Sequence, residues 1–301
     1  MSIAEPRAKG NTGLAAPNTR LAIAIMITGI FFYSLNDAIG KWLVATYSVG
    51  QVAMIRGLAA LVFLSPMIWK MGWPRLFALE RPKWQILRVI FSTLDIICFY
   101  AAVVTLPLAT VMTFWLAGPI YVAALSPLFL GEKVGLRRWL AILAGFIGVL
   151  IALNPGTREF SPAVVICLIG SFSFALLIMT GRMLRGTPDT TLAFWQVIGA
   201  VLAGAVMAPV GWVTPTMTDF SVMAMLGGVM ILANLCVNRA LKLADSATVV
   251  PFQYTFLFWG VLFGWLMFGD VPQASLMLGA LIIVASGLFI FSREQKLKKQ
   301  V

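Results

Sequence analysis

This sequence lacks histidine and contains few cysteines and, for its length, few charged residues. None of its 301 residues is histidine, which excludes histidine metal sites, histidine-containing catalytic triads and histidine proton relays. The cysteines are Cys98, Cys167 and Cys236, each within an apolar stretch and without the Cys-x-x-Cys spacing of a metal or redox site. We interpret them as small buried hydrophobic residues, and any proton transfer would fall to carboxylates.

Charged residues make up only 11% of the chain, whereas soluble domains carry about 25%. Hydrophobic residues make up 60%, in long stretches with short polar breaks, so the bilayer is the expected solvent. A membrane-spanning helix needs about 20 mostly apolar residues. The predicted helices cover residues 21–43, 49–69, 84–105, 107–130, 137–153, 162–181, 190–211, 220–241, 246–268 and 273–291. The sequence therefore predicts an all-α, polytopic membrane protein with ten transmembrane helices.

The positions of lysine and arginine predict the orientation, because these residues concentrate in cytoplasmic loops. Of the 22 residues, 19 fall on the face that holds both termini, and Arg158 alone falls in a loop on the opposite face. We therefore predict a multi-pass protein of a bacterial-type inner membrane with both termini cytoplasmic. This partition accounts for the net charge of +11 without a nucleic-acid partner.

The two halves of the sequence share matches at a recurring offset of 138 residues. Ala109 to Val111 match Ala247 to Val249, Gly131-Glu132 matches Gly269-Asp270, and an offset of 141 aligns Phe31 with Phe172 and Lys41 with Arg182. Chance similarity between apolar segments is the alternative. Repeats at 21–153 and 162–291, between basic tails at 1–20 and 292–301, would each hold five helices. An odd number of spans inverts the second repeat, an arrangement typical of secondary transporters with a substrate site near the midplane.

Three motifs resemble one family over essentially the whole of residues 20–292. They are Leu-Pro-Leu-Ala-Thr-Val at 106–111, Gly131-Glu132, and Ala-Gly-Phe-Ile-Gly-Val at 144–149, and they resemble the EamA branch of the drug/metabolite transporter superfamily. Asn36-Asp37 with Lys41, Arg56 and Ile86 to Arg88 looks most similar to the subgroup that includes bacterial S-adenosylmethionine uptake carriers. The resemblance implies ten helices around a central cavity and no bound cofactor. It says little about substrate, because the branch also holds amino-acid exporters and riboflavin importers.

Ionisable groups within membrane helices are costly and are candidates for function. Asp37 is predicted to lie about 6 Å from the outer edge of the hydrocarbon core and Arg56 about 10 Å deep, so we expect them to meet. Lys41 follows Asp37 at helical spacing and is expected to pair with it. Two interpretations stay open: a neutralising salt bridge, or a role in substrate binding or gating.

Asp95 is the carboxylate predicted to lie closest to the midplane, about 16 Å along the third helix. One hypothesis makes it a proton carrier, and the other a partner in a hydrogen bond between helices. Arg88, seven residues earlier, is expected to extend to the cytoplasmic surface.

Aromatic and amide side chains are candidate contacts for an organic substrate, although such aromatics are also common as packing or interface residues. The candidates are Tyr100, Phe114, Trp115, Trp195, Gln196, Asn234, Asn238, Gln253 and Tyr254. Trp115 and Gln253 occupy matching positions in the two repeats. Pro119 and Pro251 interrupt the fourth and ninth helices, either as simple kinks or as breaks that expose backbone groups to a cavity.

These patterns favour a secondary transporter that moves a small, amino-acid-derived or similarly amphipathic metabolite by alternating access. The predicted partners are that solute, the lipid bilayer and a coupling proton, with no cofactor and no metal, and the oligomeric state stays open. No Gly-x-x-x-x-Gly-Lys-Ser/Thr loop of a primary pump occurs. The alternatives are an exporter of amino acids or drugs, a non-transporting scaffold, and a membrane-embedded enzyme, which would need clustered catalytic groups that the sequence does not offer.

Overall fold

The computed structural model describes residues 16–130, 135–153, 162–184, 186–244 and 246–298, and these residues form helices joined by short loops. The helices are α1 Ala16–Val44, α2 Val49–Met71, α3 Pro74–Phe77, α4 Pro82–Val103, α5 Leu108–Leu116, α6 Gly118–Leu130, α7 Leu136–Leu153, α8 Pro162–Met183, α9 Asp189–Met207, α10 Met217–Leu243, α11 Ser246–Val249, a 3-10 helix Val250–Tyr254, α12 Thr255–Phe268 and α13 Ala274–Lys298. Gly131-Glu132, Arg158 and the outermost parts of both basic tails lie outside the described residues.

Ten spans of the described chain are long and apolar enough to cross a membrane, which confirms the predicted count. The fourth span joins α5 to α6 (108–129), and the ninth joins the 3-10 helix to α12 (250–268). Because ten is even, the chain returns to the face at which α1 begins. We call this the terminal face, and the other the opposite face.

Several helices begin where the sequence satisfies or removes an unpaired backbone N–H group. Pro82 and Pro162 are the first residues of α4 and α8, where a missing N–H costs little. The side chain of Ser48 accepts a hydrogen bond from the backbone of Gln51 at the start of α2, as N-cap residues do.

The most extensive helix contacts join the two halves of the chain. They are α1 with α10, α4 with α8, α7 with α13, and α2 with α9. If the first five spans are exchanged in order with the last five, α1 corresponds to α8 and α4 corresponds to α10. Under this exchange the α1–α10 contact becomes the α4–α8 contact. The same exchange leaves the other two pairs unchanged, so the four most extensive contacts map onto one another.

Two hydrogen bonds between the halves follow the same exchange. Asn36 Nδ2 donates to the carbonyl oxygen of Leu226 at 2.7 Å, and Arg88 Nη1 donates to the carbonyl oxygen of Leu177 at 2.9 Å. Leu177 is 141 residues after Asn36, and Leu226 is 138 residues after Arg88, the offsets that align the two halves. The expectation that Arg88 extends to the membrane surface is wrong, because its side chain lies between α4 and α8 and bonds to backbone there.

The fourth and ninth spans are both interrupted. In the fourth, Ala117 separates α5 from α6, and its N–H group donates to the carbonyl of Phe114 at 3.1 Å in a tighter turn. In the ninth, a 3-10 helix that contains Pro251 precedes α12. The helix predicted over 246–268 is therefore three short helical segments, because proline cannot donate a backbone hydrogen bond.

Candidate functional site

Arg56 lies at the centre of a buried polar cluster and is only 6% exposed. Its Nη1 donates hydrogen bonds to Asn36 Oδ1 at 3.2 Å and to the hydroxyl of Tyr100. The guanidinium carbon also lies 5.1 Å from the centre of the Tyr100 ring, within the range of a cation–π contact. One arginine on α2 therefore contacts both α1 and α4.

Asn36 extends this cluster into the second half of the chain. Its amide accepts from Arg56 through Oδ1 and donates through Nδ2 to the carbonyl of Leu226 on α10. The sequence pointed to Asn36 only through the family resemblance, and this bridging position was not predicted. The available signal was an amide within a mostly apolar predicted helix, because buried amides are nearly always hydrogen-bonded. In the structure Asn36 is 3% exposed.

Asp37 is half-buried beside the cluster and forms no direct ion pair within the described part of the chain. It interacts electrostatically with Arg56 and, unfavourably, with Asp95. Tyr33, one turn earlier on α1, also interacts electrostatically with Asp37. The expected direct contact between Asp37 and Arg56 is therefore not made, because Arg56 turns towards Asn36 and Tyr100.

Lys41 pairs with a different carboxylate from the one predicted. Its Nζ lies 3.0 Å from Asp270 Oδ2 and 3.2 Å from the carbonyl oxygen of Leu106, to which it donates. The Nζ also lies 4.5 Å from the centre of the Phe268 ring. The predicted pairing with Asp37 is wrong, because Lys41 sits near the end of α1 and reaches the loops of the opposite face.

Asp95 accepts a hydrogen bond of 2.6 Å from Trp115 Nε1, which joins α4 to α5. Phe99 packs edge-on between this pair and the arginine cluster, with ring centres 5.1 Å from Trp115 and 5.7 Å from Tyr100. Asp95 also interacts electrostatically with Arg56. The structure thus brings together four of the predicted site residues: Arg56, Asp95, Tyr100 and Trp115.

Two further predicted site residues stand apart from this cluster. Gln253 is half-buried in the 3-10 helix and Asn238 is exposed on α10, and neither forms a hydrogen bond with another described residue. Trp195 donates to the carbonyl of Leu76 at 2.8 Å and so anchors the loop after α2. Among the residues with described positions, no three His, Cys, Asp or Glu side chains are close enough to hold a metal ion.

An all-α, ten-span membrane protein with charged and polar groups buried where its two halves meet has the architecture of a small-molecule carrier. The EamA-like transporter family matches residues 20–154 and again residues 161–292, and the chain belongs to this family. The two matches together cover nearly the whole chain, as the resemblance predicted.

Curated relatives extend over almost the whole chain. The S-adenosylmethionine uptake transporter of Rickettsia felis is 26% identical over 91% of this chain and 96% of its own. The riboflavin transporter of Vibrio cholerae is 28% identical, covering 90% and 93%, and the pseudopaline exporter of Pseudomonas aeruginosa is 23% identical, covering 91% and 96%. They confirm a multi-pass bacterial membrane protein that transports a small metabolite, and they point to a transporter rather than an enzyme.

A solved crystal structure supports the fold independently. It superposes with a TM-score of 0.62 at 16% identity, and the match covers 92% of this chain and 99% of that one. At that identity the likeness extends to the fold alone.

Proposed function

We propose that this protein is a secondary carrier for a zwitterionic, amino-acid-derived metabolite, and that it works by alternating access. Each family match contains five of the ten spans, so the second repeat enters the membrane with the opposite orientation. The repeats would be 21–153 and 162–291, with the binding site between them near the midplane. The matched α1–α10 and α4–α8 contacts support this symmetry.

The observation that carries the proposal is the presence of unlike charges in one cluster without a direct ion pair between them. Arg56 uses Nη1 for both of its hydrogen bonds, so its Nη2 and Nε bind no other described residue. A guanidinium has five N–H donors in a planar fork that fits a carboxylate. Arg56 is therefore suited to bind the carboxylate end of a zwitterion.

Asp37 is suited to bind the cationic end. It has no ion-pair partner among the described residues, and Asp95 lies close enough to interact with it electrostatically. A second carboxylate strengthens the attraction for a positively charged group. Trp115 and Phe99 add aromatic surface beside these charges, where an organic side group can pack.

The relatives include uptake carriers and an exporter, and the cluster itself is compatible with either direction. For coupling we propose a proton, with Asp95 as its site and Asp37 as the alternative, because both are carboxylates within a sequence that has no histidine. For orientation we propose that the terminal face is cytoplasmic, from the distribution of Lys and Arg.

The experiment is uptake and efflux in proteoliposomes with a panel of radiolabelled amino-acid derivatives. We expect zwitterions to compete with the transported compound, and we expect their methyl esters and N-acetyl derivatives, each lacking one charge, to compete at least about tenfold more weakly. Arg56→Lys should weaken zwitterions more than the corresponding esters, because a lysine cannot form the two parallel bonds of an arginine.

Arg75→Gln is the matched control, because Arg75 is an exposed cation away from the cluster. Equal competition by zwitterions, esters and N-acetyl derivatives would overturn the proposed substrate class. The absence of flux for any small metabolite would overturn the carrier itself.

A further inference from the structure

The surface between α7 and α13 contains a groove with a volume of about 350 Å³. It is lined by Arg137, Leu140, Ala141, Ala144, Ala285, Ser286 and Phe289. Three of these residues are alanines, whose small side chains leave the space between two closely packed helices unfilled. The groove is independent of the polar cluster, because none of its lining residues belongs to that cluster.

The groove opens towards the lipid. Leu140 and Phe289, at its sides, are 57% and 45% exposed. Along α7 the same outward surface continues through Leu143, Ile147 and Leu150, which are 55%, 54% and 57% exposed. In a membrane-spanning helix such an apolar surface faces hydrocarbon chains, so a lipid tail is the neighbour that the groove meets.

Two polar groups of the groove have no partner among the described residues. Arg137 is exposed in the first turn of α7 and forms no ion pair or hydrogen bond there. Ser286 is only 6% exposed and lines the groove without a hydrogen-bond partner. A polar side chain that is more than nine-tenths buried and lacks a partner is uncommon, and Ser286 lines the space that a ligand would fill.

The depths of these groups fit one phospholipid molecule. Arg137 is at the terminal face, where the positive end of the α7 dipole adds to its charge. Ser286 lies seven residues before Arg293, the last residue of its span, and is therefore about 10 Å deeper. Ser286 is therefore about two helical turns from the terminal end of its span, in the order in which an ester group follows a phosphate along a lipid molecule.

We propose that the groove between α7 and α13 binds an anionic phospholipid. The phosphate binds Arg137, an ester carbonyl accepts a hydrogen bond from Ser286, and one acyl chain lies over Ala141, Ala144 and Ala285. An anionic headgroup fits because Arg137 is a cation on the basic face of the protein that pairs with no described residue, and basic groups between helices attract acidic lipids.

The test is native mass spectrometry of the full chain with phosphatidylglycerol and phosphatidylcholine of identical acyl chains. We expect preferential retention of phosphatidylglycerol, and Arg137→Gln should lower that preference about fivefold, the contribution of one cation near an anionic leaflet. Ala144→Leu should reduce retention of both lipids by filling the groove. Lys83→Gln, an exposed cation of the same face outside the groove, is the control and should change neither.

Glycerol phosphate, which has the headgroup but no acyl chains, separates a lipid site from a simple anion site. We expect it to leave lipid retention unchanged even in large excess. Equal retention of the two lipids, loss of phosphatidylglycerol to glycerol phosphate, or a dimer that Ala144→Leu dissociates would each overturn the proposal. Ser286→Ala gives a second variant, which should weaken retention of both lipids without filling the groove.

Discussion

Lys41 and Asp270 join the two halves of the protein at the opposite face, with Lys41 Nζ 3.0 Å from Asp270 Oδ2. Lys41 is on α1 and Asp270 directly follows α12, so the ion pair crosses from the first family match to the second. The carbonyl of Leu106 and the ring of Phe268 hold the same ammonium group. Separation of the halves at this face requires the contacts of Lys41 with Asp270 and with Phe268 to break.

We therefore predict that Lys41→Ala and Asp270→Ala each favour opening at the opposite face. Leu106→Cys, at a position that is 6% exposed, reports opening through its reaction with a membrane-impermeant maleimide. We expect each variant to raise the labelling rate about two- to fivefold, the effect of a partly exposed ion pair. Exchanging the two charges should restore the original rate. Unchanged labelling in both single variants would contradict the prediction.

Arg56 and Asp37 should depend on each other even though they do not touch. Arg56→Gln removes the positive charge that interacts with Asp37. Asp37→Asn removes a negative charge that offsets the charge of Arg56 in a low-dielectric interior. We expect each variant to lose at least about tenfold in transport or in the amount of folded protein. The double variant should recover folded protein, measured by fluorescence size-exclusion chromatography. Normal transport in both single variants would show that the pair is dispensable.

Asp95→Asn tests proton coupling. If Asp95 carries the proton, the variant should lose accumulation driven by a pH gradient and keep substrate exchange, because exchange needs only binding and the conformational change. Arg75→Gln, which removes an exposed charge away from the cluster, should still accumulate substrate and serves as the control. Wild-type flux that ignores the gradient, or accumulation by Asp95→Asn, would refute the assignment.

Reporter fusions test the orientation. Alkaline phosphatase fused after Val301 should be inactive and green fluorescent protein at the same place should fluoresce, because the terminal face is predicted to be cytoplasmic. Phosphatase fused after Thr214, in the loop between α9 and α10, should be active. The reverse pattern would contradict the orientation with both termini inside.

Tyr47 gives a pH dependence at the opposite face. Its hydroxyl donates to Asp219 Oδ2 at 2.6 Å, and this hydrogen bond raises the pKa of Tyr47 above its ordinary value of 10.0. A raised pKa means that folding favours the protonated form, so the stabilisation is complete below pH 10 and is lost as the pH rises through the raised pKa. Tyr47→Phe should lower the melting temperature at pH 8, and the difference from wild type should shrink above pH 10. Asp219→Asn, which removes the charge of the acceptor, is the comparison variant. A melting-temperature difference between Tyr47→Phe and wild type that does not change with pH would be evidence against this contribution.

The ten spans were predictable because a long run of apolar residues indicates a membrane-spanning helix whatever helices pack around it. Arg56, Asp95, Tyr100 and Trp115 were predictable as candidates because polar and aromatic groups stand out in such runs. Their pairing was not predictable, since helical periodicity shows which face a residue occupies and not which helix lies opposite. Lys41 and Asp270 are 229 residues apart, so their contact depends on how α1 packs against α12.

The paired hydrogen bonds, Asn36 to Leu226 and Arg88 to Leu177, bear on how such a chain evolves. Two matches to one family are what gene duplication leaves behind, and a contact between identical copies begins as two identical contacts. Here the acceptor is a leucine carbonyl both times, while the donor is an amide in one bond and a guanidinium in the other. Because a backbone carbonyl accepts from any N–H donor, an amide or a guanidinium on either partner helix can make this bond. An alignment of the two halves should therefore be based on the positions of their contacts and not on the identity of the residues at those positions.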